Sequence, residues 1–342
     1  MNLALAALDR GLVPDAIVRL GIRRLLSRRL ADERRAAPDA RRSLAAWVDR
    51  LRESPIASAP DQANVQHYEV PARFFELVLG PRLKYSSGYW PPGVETLAAS
   101  EEAMLALAAE RAGIADGQRI LDLGCGWGSF ALWLAERYPA STVLAVSNSR
   151  TQGDFVRAAA ERRGLANVRH RVANVEELVL DERFDRVVSI EMFEHMRNYE
   201  ALLGKIAAWL APGGRLFVHL FCHRELTYPF VDAGPDDWMA RHFFAGGLMP
   251  SYDLLPRFDR DLELEERWQV PGTHYQRTSE AWLANLDARR GEVRSLFEAS
   301  YGRGCGALWV ERWRVFFLAC AELFGSAGGA EWLVAHYRLR AR

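Results

Sequence analysis

Residues 120–130 read Ile-Leu-Asp-Leu-Gly-Cys-Gly-Trp-Gly-Ser-Phe: a short apolar run holding Asp122, then glycines at alternate positions, Gly124, Gly126 and Gly128. Such a run suits a strand buried on both faces of a parallel sheet, and 131–138 has the apolar spacing of a helix packed back on it. Glycines at the turn let backbone approach a ligand closely, and the start of the next helix offers free N–H donors. A strand, a glycine turn and a helix in this order commit the chain to an α/β architecture.

The alternation continues. Segments 120–123, 142–146, 168–172, 186–190 and 215–220 read as successive buried strands, separated by helical patterns such as 152–163 and 201–210. Repeated units of this kind imply a parallel, doubly wound, Rossmann-like sheet with helices on both faces, whose ligands bind beyond the C-terminal strand ends. After the fifth strand, 220–260 turns irregular and rich in aromatics, Asp and Gly, which suits a lid-like insert over a substrate. Segment 262–270 alternates as a late strand, 279–301 and 308–324 read as helices, and 332–339 as the final strand. The expected division is a helical cap at 1–75 and a main domain at 76–342, with the helices of 279–325 preceding the last strand.

From Pro14 to about Leu51 apolar residues recur at helical spacing, and the polar positions carry Arg23, Arg24, Arg28, Arg29, Arg34 and Arg35. Such a helix would lie on an anionic membrane surface; a solvated face of a helical cap fits the same pattern. Pro55 and Pro60 with their Ser and Ala neighbours mark a linker. Over all 342 residues, 44 basic side chains balance 44 acidic ones, which argues against nucleic acid as the main partner. Cys125, Cys222, Cys305 and Cys320 are widely spaced with no metal-type pattern and read as reduced thiols. The apolar stretch at 1–7 is short for a signal peptide, and no run approaches the ~20 apolar residues of a membrane span. A cytoplasmic protein is expected, with peripheral membrane contact and a second copy of the chain left open as partners.

Dinucleotide folds place the third glycine three residues after the second; here the pattern is Gly-x-Gly-x-Gly. That spacing resembles motif I of the class I S-adenosylmethionine-dependent methyltransferases. The resemblance implies that Asp122, Gly124, Cys125 and Gly126 cradle the methionine half of the cofactor. The second strand ends in Val-Ser-Asn-Ser, where many such enzymes carry an acidic residue for the ribose, so Asn148 and Gln152 would take that part. Asn174 and Val175 stand where this fold places a polar and an apolar contact for adenine, although Asn174 also suits a plain turn.

The sharpest local signal is Ser189-Ile190-Glu191-Met192-Phe193-Glu194-His195-Met196, where two carboxylates and an imidazole leave the end of strand four. A Glu–His pair can tune itself to accept a proton near neutral pH, and it can equally cap a helix start.

Together with Lys84-Tyr85-Ser86-Ser87-Gly88-Tyr89-Trp90, these motifs resemble the cyclopropane-fatty-acyl-phospholipid synthase superfamily. Within it the chain is most similar to the coclaurine N-methyltransferase branch, whose members methylate tetrahydroisoquinoline amines. Colinear matches run from Arg10-Gly11-Leu12-Val13-Pro14-Asp15 through Phe217-Val218-His219, Cys222-His223 and Phe243-Phe244-Ala245-Gly246-Gly247 to Glu322-Leu323-Phe324-Gly325.

By that resemblance Tyr85 and Ser86 close over S-adenosylmethionine, the Glu191 backbone meets its methionine amine, and Glu194 with His195 holds or deprotonates a small amine substrate. In the lipid branch Glu194, His219 and Tyr275 match residues that hold a bicarbonate ion, which accepts a proton after methyl transfer to an alkene of an unsaturated acyl chain. Ser87 stands where the lipid enzymes usually carry cysteine, which counts against bicarbonate. Cys320 aligns with a cysteine once nominated as catalytic there, and a buried helical cysteine is the simpler reading.

Overall fold

The computed structural model describes residues 3–57, 70–232, 234 and 237–342; Pro60 and most of the expected linker lie outside them. Seven strands form one sheet: β1 (Arg119–Leu123), β2 (Thr142–Ser147), β3 (Val168–Val172), β4 (Phe184–Ile190), β5 (Leu210–His223), β8 (Leu262–Val270) and β9 (Trp332–Ala341). The strands β6 (Tyr228–Pro229) and β7 (Leu248–Met249) make a separate two-stranded ribbon. In space the sheet runs β3-β2-β1-β4-β5-β9-β8, with the first five parallel and β9 antiparallel to both neighbours. This is the doubly wound, Rossmann-like α/β sheet expected from the sequence.

Burial on both faces explains why β1 is apolar at Ile120, Leu121 and Leu123. Ile120 packs with Val143, Val188 and Phe217 beneath the helices Leu97–Ala112 and Ser129–Arg137, while Leu121 and Leu123 pack on the other face with Val187, Leu216 and the helix Tyr199–Trp209. Each side chain so buried contributes about 1.5–3 kcal/mol.

Two expected helices are divided. The N-terminal stretch breaks into Asp15–Ala36 and Ala40–Arg52, because Pro38 disfavours helix at Ala37 and Asp39 restarts it by accepting from the Arg41 and Arg42 N–H groups at 3.0 and 3.1 Å. The later stretch divides at Arg289 into Gly272–Ala288 and Arg290–Tyr301. The second piece thereby turns Val293 and Phe297 inward, Phe297 lying 5.1 Å from Phe74 between ring centres.

The arginines of Asp15–Ala36 work largely within the molecule. Arg23 pairs with Glu322 at 2.5 Å, Arg29 with Asp237 at 2.9 Å and Arg34 with Glu331 at 2.5 Å. Arg19 adds Glu280 and Glu322. They clamp the helix to the main body, while Ile17, Leu20 and Leu25 remain exposed. Among the described residues no helix is long and apolar enough to cross a membrane.

At the sheet edge Glu265 ties three strands together, accepting from Arg215 of β5 at 2.8 Å and Arg338 of β9 at 2.6 Å. The Arg215 hydrogen bond first, then Arg338, holds its carboxyl down at about 2. Because the folded value is depressed, the stabilisation is present above the ordinary carboxylate range and is lost as pH falls towards 2. Glu265→Gln is therefore expected to lower Tm at pH 7, with the gap from the parent closing between about pH 4.5 and 2. Thermal melts across that range check it.

Candidate active site

At the end of β1 the backbone N–H groups of Gly124 and Cys125 both donate to the Val146 carbonyl of β2 at 2.9 Å, which fixes the turn. All three glycines have positive φ, +85°, +54° and +77°, but they are required for different reasons. A Cβ on Gly124 would lie 2.8 Å from Met192 Cβ, and one on Gly128 would lie 2.7 Å from Val156 Cγ2. At Gly126 a Cβ would meet no atom within 4 Å; that space belongs to a cavity.

Two cavities meet at this turn. The larger, about 900 Å³, is lined by Tyr85, Ser86, Asp122, Cys125 and Tyr275 and extends through apolar and aromatic side chains of the insert and the N-terminal helix. The smaller, about 90 Å³, is lined by Asn148, Asn174 and Val175. Gly124, Gly126, Gln152, Glu191 and His195 line both. Thus the residues assigned by resemblance to the methionine, ribose and adenine parts of one ligand border two adjoining cavities. Asn174 also forms the plain turn, its Oδ1 accepting from Glu176 N at 3.1 Å.

The residues fit S-adenosylmethionine. Asp122 is buried, lines the larger cavity, and keeps Oδ2 without a hydrogen-bond partner; burial lifts its carboxyl to about 7, against a hydrogen bond from the Ala131 backbone. An ammonium group is the ligand feature that would satisfy such an oxygen. The open face of Gly126 is where a ligand can lie against backbone.

The two glutamates of the strand-four motif part company. Glu191 has φ +49°, rare for a side-chain-bearing residue, and it lines both cavities. It accepts from Ser87 N at 3.0 Å, His219 Nε2 at 3.2 Å and Tyr275 Oη at 2.7 Å. Glu194, in the short turn Phe193–His195, is fully buried and lines neither cavity. Its Oε1 accepts from Phe221 N at 2.7 Å, and its Oε2 has no partner. Burial and the Glu191 charge push the Glu194 carboxyl well up, so it keeps its proton to higher pH than an ordinary glutamate. Burial also raises Glu191, but Lys84 and the Ser87 and Tyr275 donors oppose this, and so many donors favour its ionised form. Environment sets the two apart: Glu194 is pushed further up than Glu191, so it is the one that gives up its proton last.

The trio matched to a bicarbonate site is therefore not assembled as Glu194, His219 and Tyr275. His219 and Tyr275 meet Glu191 instead, and a carboxylate of the chain itself accepts their hydrogen bonds. His195 lines both cavities and packs its ring edge-on against Phe244 at 4.8 Å. Cys320 lines the larger cavity, but burial and Glu191 push its thiol well up, leaving it protonated and unsuited to attack.

Lys84 escaped the sequence reading, although it opens the Lys-Tyr-Ser motif. It is buried, donates to Ser86 Oγ and faces Glu191. Burial lowers its ammonium to about 8, while Glu191 and Glu101 pull the other way. The place of the Asp15–Ala36 helix in the site was not read either: Val18, Ile22, Leu25 and Leu26 form one wall of the larger cavity. Its helical periodicity was visible; what it covered was not.

A sequence model of the mycolic acid cyclopropane synthetase family matches residues 57–329. The chain belongs to this family. Within it, an (S)-coclaurine N-methyltransferase of Thalictrum flavum subsp. glaucum is 36% identical over 337 residues, covering 97% of this chain and 93% of that protein. The cyclopropane-fatty-acyl-phospholipid synthase of Escherichia coli (strain K12) is 26% identical over 280 residues, covering 80% and 67%. A crystal structure of coclaurine N-methyltransferase bound to N-methylheliamine and SAH superposes with a TM-score of 0.94 at 35% identity, covering 98% of each chain. A cyclopropane synthase of Mycobacterium tuberculosis shares the fold, with a TM-score of 0.72 at 23% identity, covering 84% of this chain and all of that one.

The two buried carboxyls give a direct test. Glu194→Gln keeps the bond to Phe221 N–H and the neutral charge, so turnover should stay within about threefold of the parent. If Glu194 instead works as an ionised base, the same change should cut turnover by about 10²–10⁴. Steady-state kinetics with a Tm control separate the two.

Proposed function

We propose that this chain is an S-adenosylmethionine-dependent methyltransferase that methylates the nitrogen of a small cyclic or aryl-alkyl amine. The observation that carries this reading is Glu191, which lines both cavities and whose carboxylate takes the hydrogen bonds of His219 and Tyr275. A second anion beside it would be repelled, whereas a basic amine is attracted. The full-length likeness to amine methyltransferases, greater than that to the lipid enzyme, supports the same choice.

Asp122, Gly124, Gly126, Gln152, Asn148, Asn174 and Val175 would hold S-adenosylmethionine, which when bound supplies an electrophilic methyl group on a sulfonium sulfur. The chain's own residues then have three tasks. The apolar cavity excludes water and aligns the acceptor, which contributes the larger part of rate enhancement in a one-step displacement. Glu191 draws in the amine and offsets the positive charge that the nitrogen carries as its ammonium and as product. His195, reaching both cavities, takes the amine proton, a task suited to an imidazole near neutral pH. Phe230, Trp238 and Phe244 line the larger cavity and offer ring faces to a cationic or planar acceptor. In this reading 220–260 is the substrate lid, and the Asp15–Ala36 helix of the N-terminal cap helps to complete the cavity.

Turnover with a panel of cyclic secondary amines in carbonate-free buffer tests the assignment. Methylation undiminished by removing carbonate is expected. Activity restored only by added bicarbonate would overturn it.

A further inference from the structure

Behind the Glu191 carboxylate, side chains from three other elements stand in one line of hydrogen bonds. Arg111, on the last turn of the Leu97–Ala112 helix, lies 2.8 Å from His336 Nδ1; His336 Nε2 lies 2.9 Å from His219 Nδ1; and His219 Nε2 lies 3.2 Å from Glu191 Oε1. Both imidazoles are fully buried, and they meet because His219 and His336 are directly opposed in the β5–β9 register.

The protons in this line can be assigned from one end. A guanidinium only donates, so His336 Nδ1 must accept, and its proton sits on Nε2. His219 Nδ1 then accepts from it, and the His219 proton sits on Nε2, aimed at Glu191. Burial, together with the charges of Arg111 and Lys84, holds both rings well below the ordinary imidazole range, so each carries the single proton this pattern needs.

We propose that Arg111 and His336 are positioning residues for the methyl-transfer site, fixing both histidine tautomers so that the Glu191 carboxylate always faces a donor and stays ionised and in place. The proposal rests on the reading of Glu191 as the carboxylate that faces the acceptor amine. The line carries polarity and not protons. Arg111 has no lone pair to accept one, so a proton reaching Glu191 has no exit along it and the amine proton leaves through His195. Arg111 also stacks on Trp268 at 5.0 Å, which keeps the guanidinium in place at the sheet surface.

Other charges face these groups. Lys84 from the Lys-Tyr-Ser segment, Glu194 from its own turn, Tyr275 and Cys320 from two helices and His219 from β5 surround Glu191; Tyr89, Glu110 and Glu266 surround Arg111. None of them replaces the donor that Arg111 gives His336, so the effect of removing it should be read at that ring first.

The test uses the full chain labelled with ¹⁵N-histidine, with Arg111→Met as the disrupting variant and Arg111→Lys as the conservative one. In the parent, ¹⁵N–¹H correlation spectra should show the Nε2–H tautomer at both His219 and His336. In Arg111→Met a second tautomer should appear at His336. The acid limb of the kcat profile should move up by about one pH unit, with kcat down about tenfold and KM for S-adenosylmethionine unchanged. Arg111→Lys should recover most of both. An Nδ1–H tautomer at either ring of the parent would overturn the proposal, as would an Arg111→Met protein that loses only Tm while its tautomers and pH profile stay put. The tautomer spectra do not depend on turnover, so they stand or fall separately from the amine assignment.

Discussion

Glu191→Gln is expected to lower kcat/KM for the amine by about 10²–10³, equivalent to about 3–4 kcal/mol of transition-state stabilisation. The amide keeps the length of the side chain but not its charge, and it can no longer accept from Ser87 N, His219 Nε2 and Tyr275 Oη at once. The backbone at 191 stays as it was, with φ +49° and its N–H bonded to the His219 carbonyl at 2.8 Å, so affinity for S-adenosylmethionine should change little. Kinetics against amine concentration, with cofactor binding measured separately, check this. Near-parent kcat/KM would show that the carboxylate is only a structural partner of β5.

Gly126→Leu should abolish cofactor binding, weakening Kd by about 100-fold or more, while the chain stays folded. Nothing lies within 4 Å of a Cβ at this position, so the leucine enters the space shared by the two cavities. The positive φ alone costs about 1–2 kcal/mol, too little to unfold a domain of this size. Gly124→Ala is the contrast, because its methyl strikes Met192 at 2.8 Å and should damage the fold first. Calorimetric titration with S-adenosylmethionine alongside thermal melts distinguishes the two. Parent-like binding by Gly126→Leu would remove the glycine turn from the cofactor site.

Much of this was legible in the chain. Strands β1 and β2 fall within a residue of their expected bounds, because a strand buried on both faces is apolar at most successive positions and the glycine turn fixes where β1 ends; β3 keeps its expected bounds but is a half-exposed edge strand, Val-Arg-His-Arg-Val, and not the buried one expected. Pro38 carried the signal that the N-terminal helix breaks. The break at Arg289 has only Gly291, two residues on, as a local mark, and the piece after it packs Phe297 on the distant Phe74.

At the site, residue type and spacing nominated Glu191, Glu194 and His195 together. They could not say that one glutamate lines both cavities while the other is enclosed beneath a turn. Arg111 and His336 are 225 residues apart, joined through a register that only the antiparallel insertion of β9 beside β5 creates. The buried state of Lys84 likewise depends on Glu101 and Glu191, which lie far along the chain from it.

The most direct measurement of the central claim is NMR of the products formed from S-adenosylmethionine labelled with ¹³C at the methyl, with a cyclic secondary amine and unsaturated phospholipid vesicles competing in one reaction. The account predicts a single labelled N-methyl resonance on the amine and no label in the lipid. Label in the acyl chains as a cyclopropane or branched methyl, with the amine untouched, would contradict it.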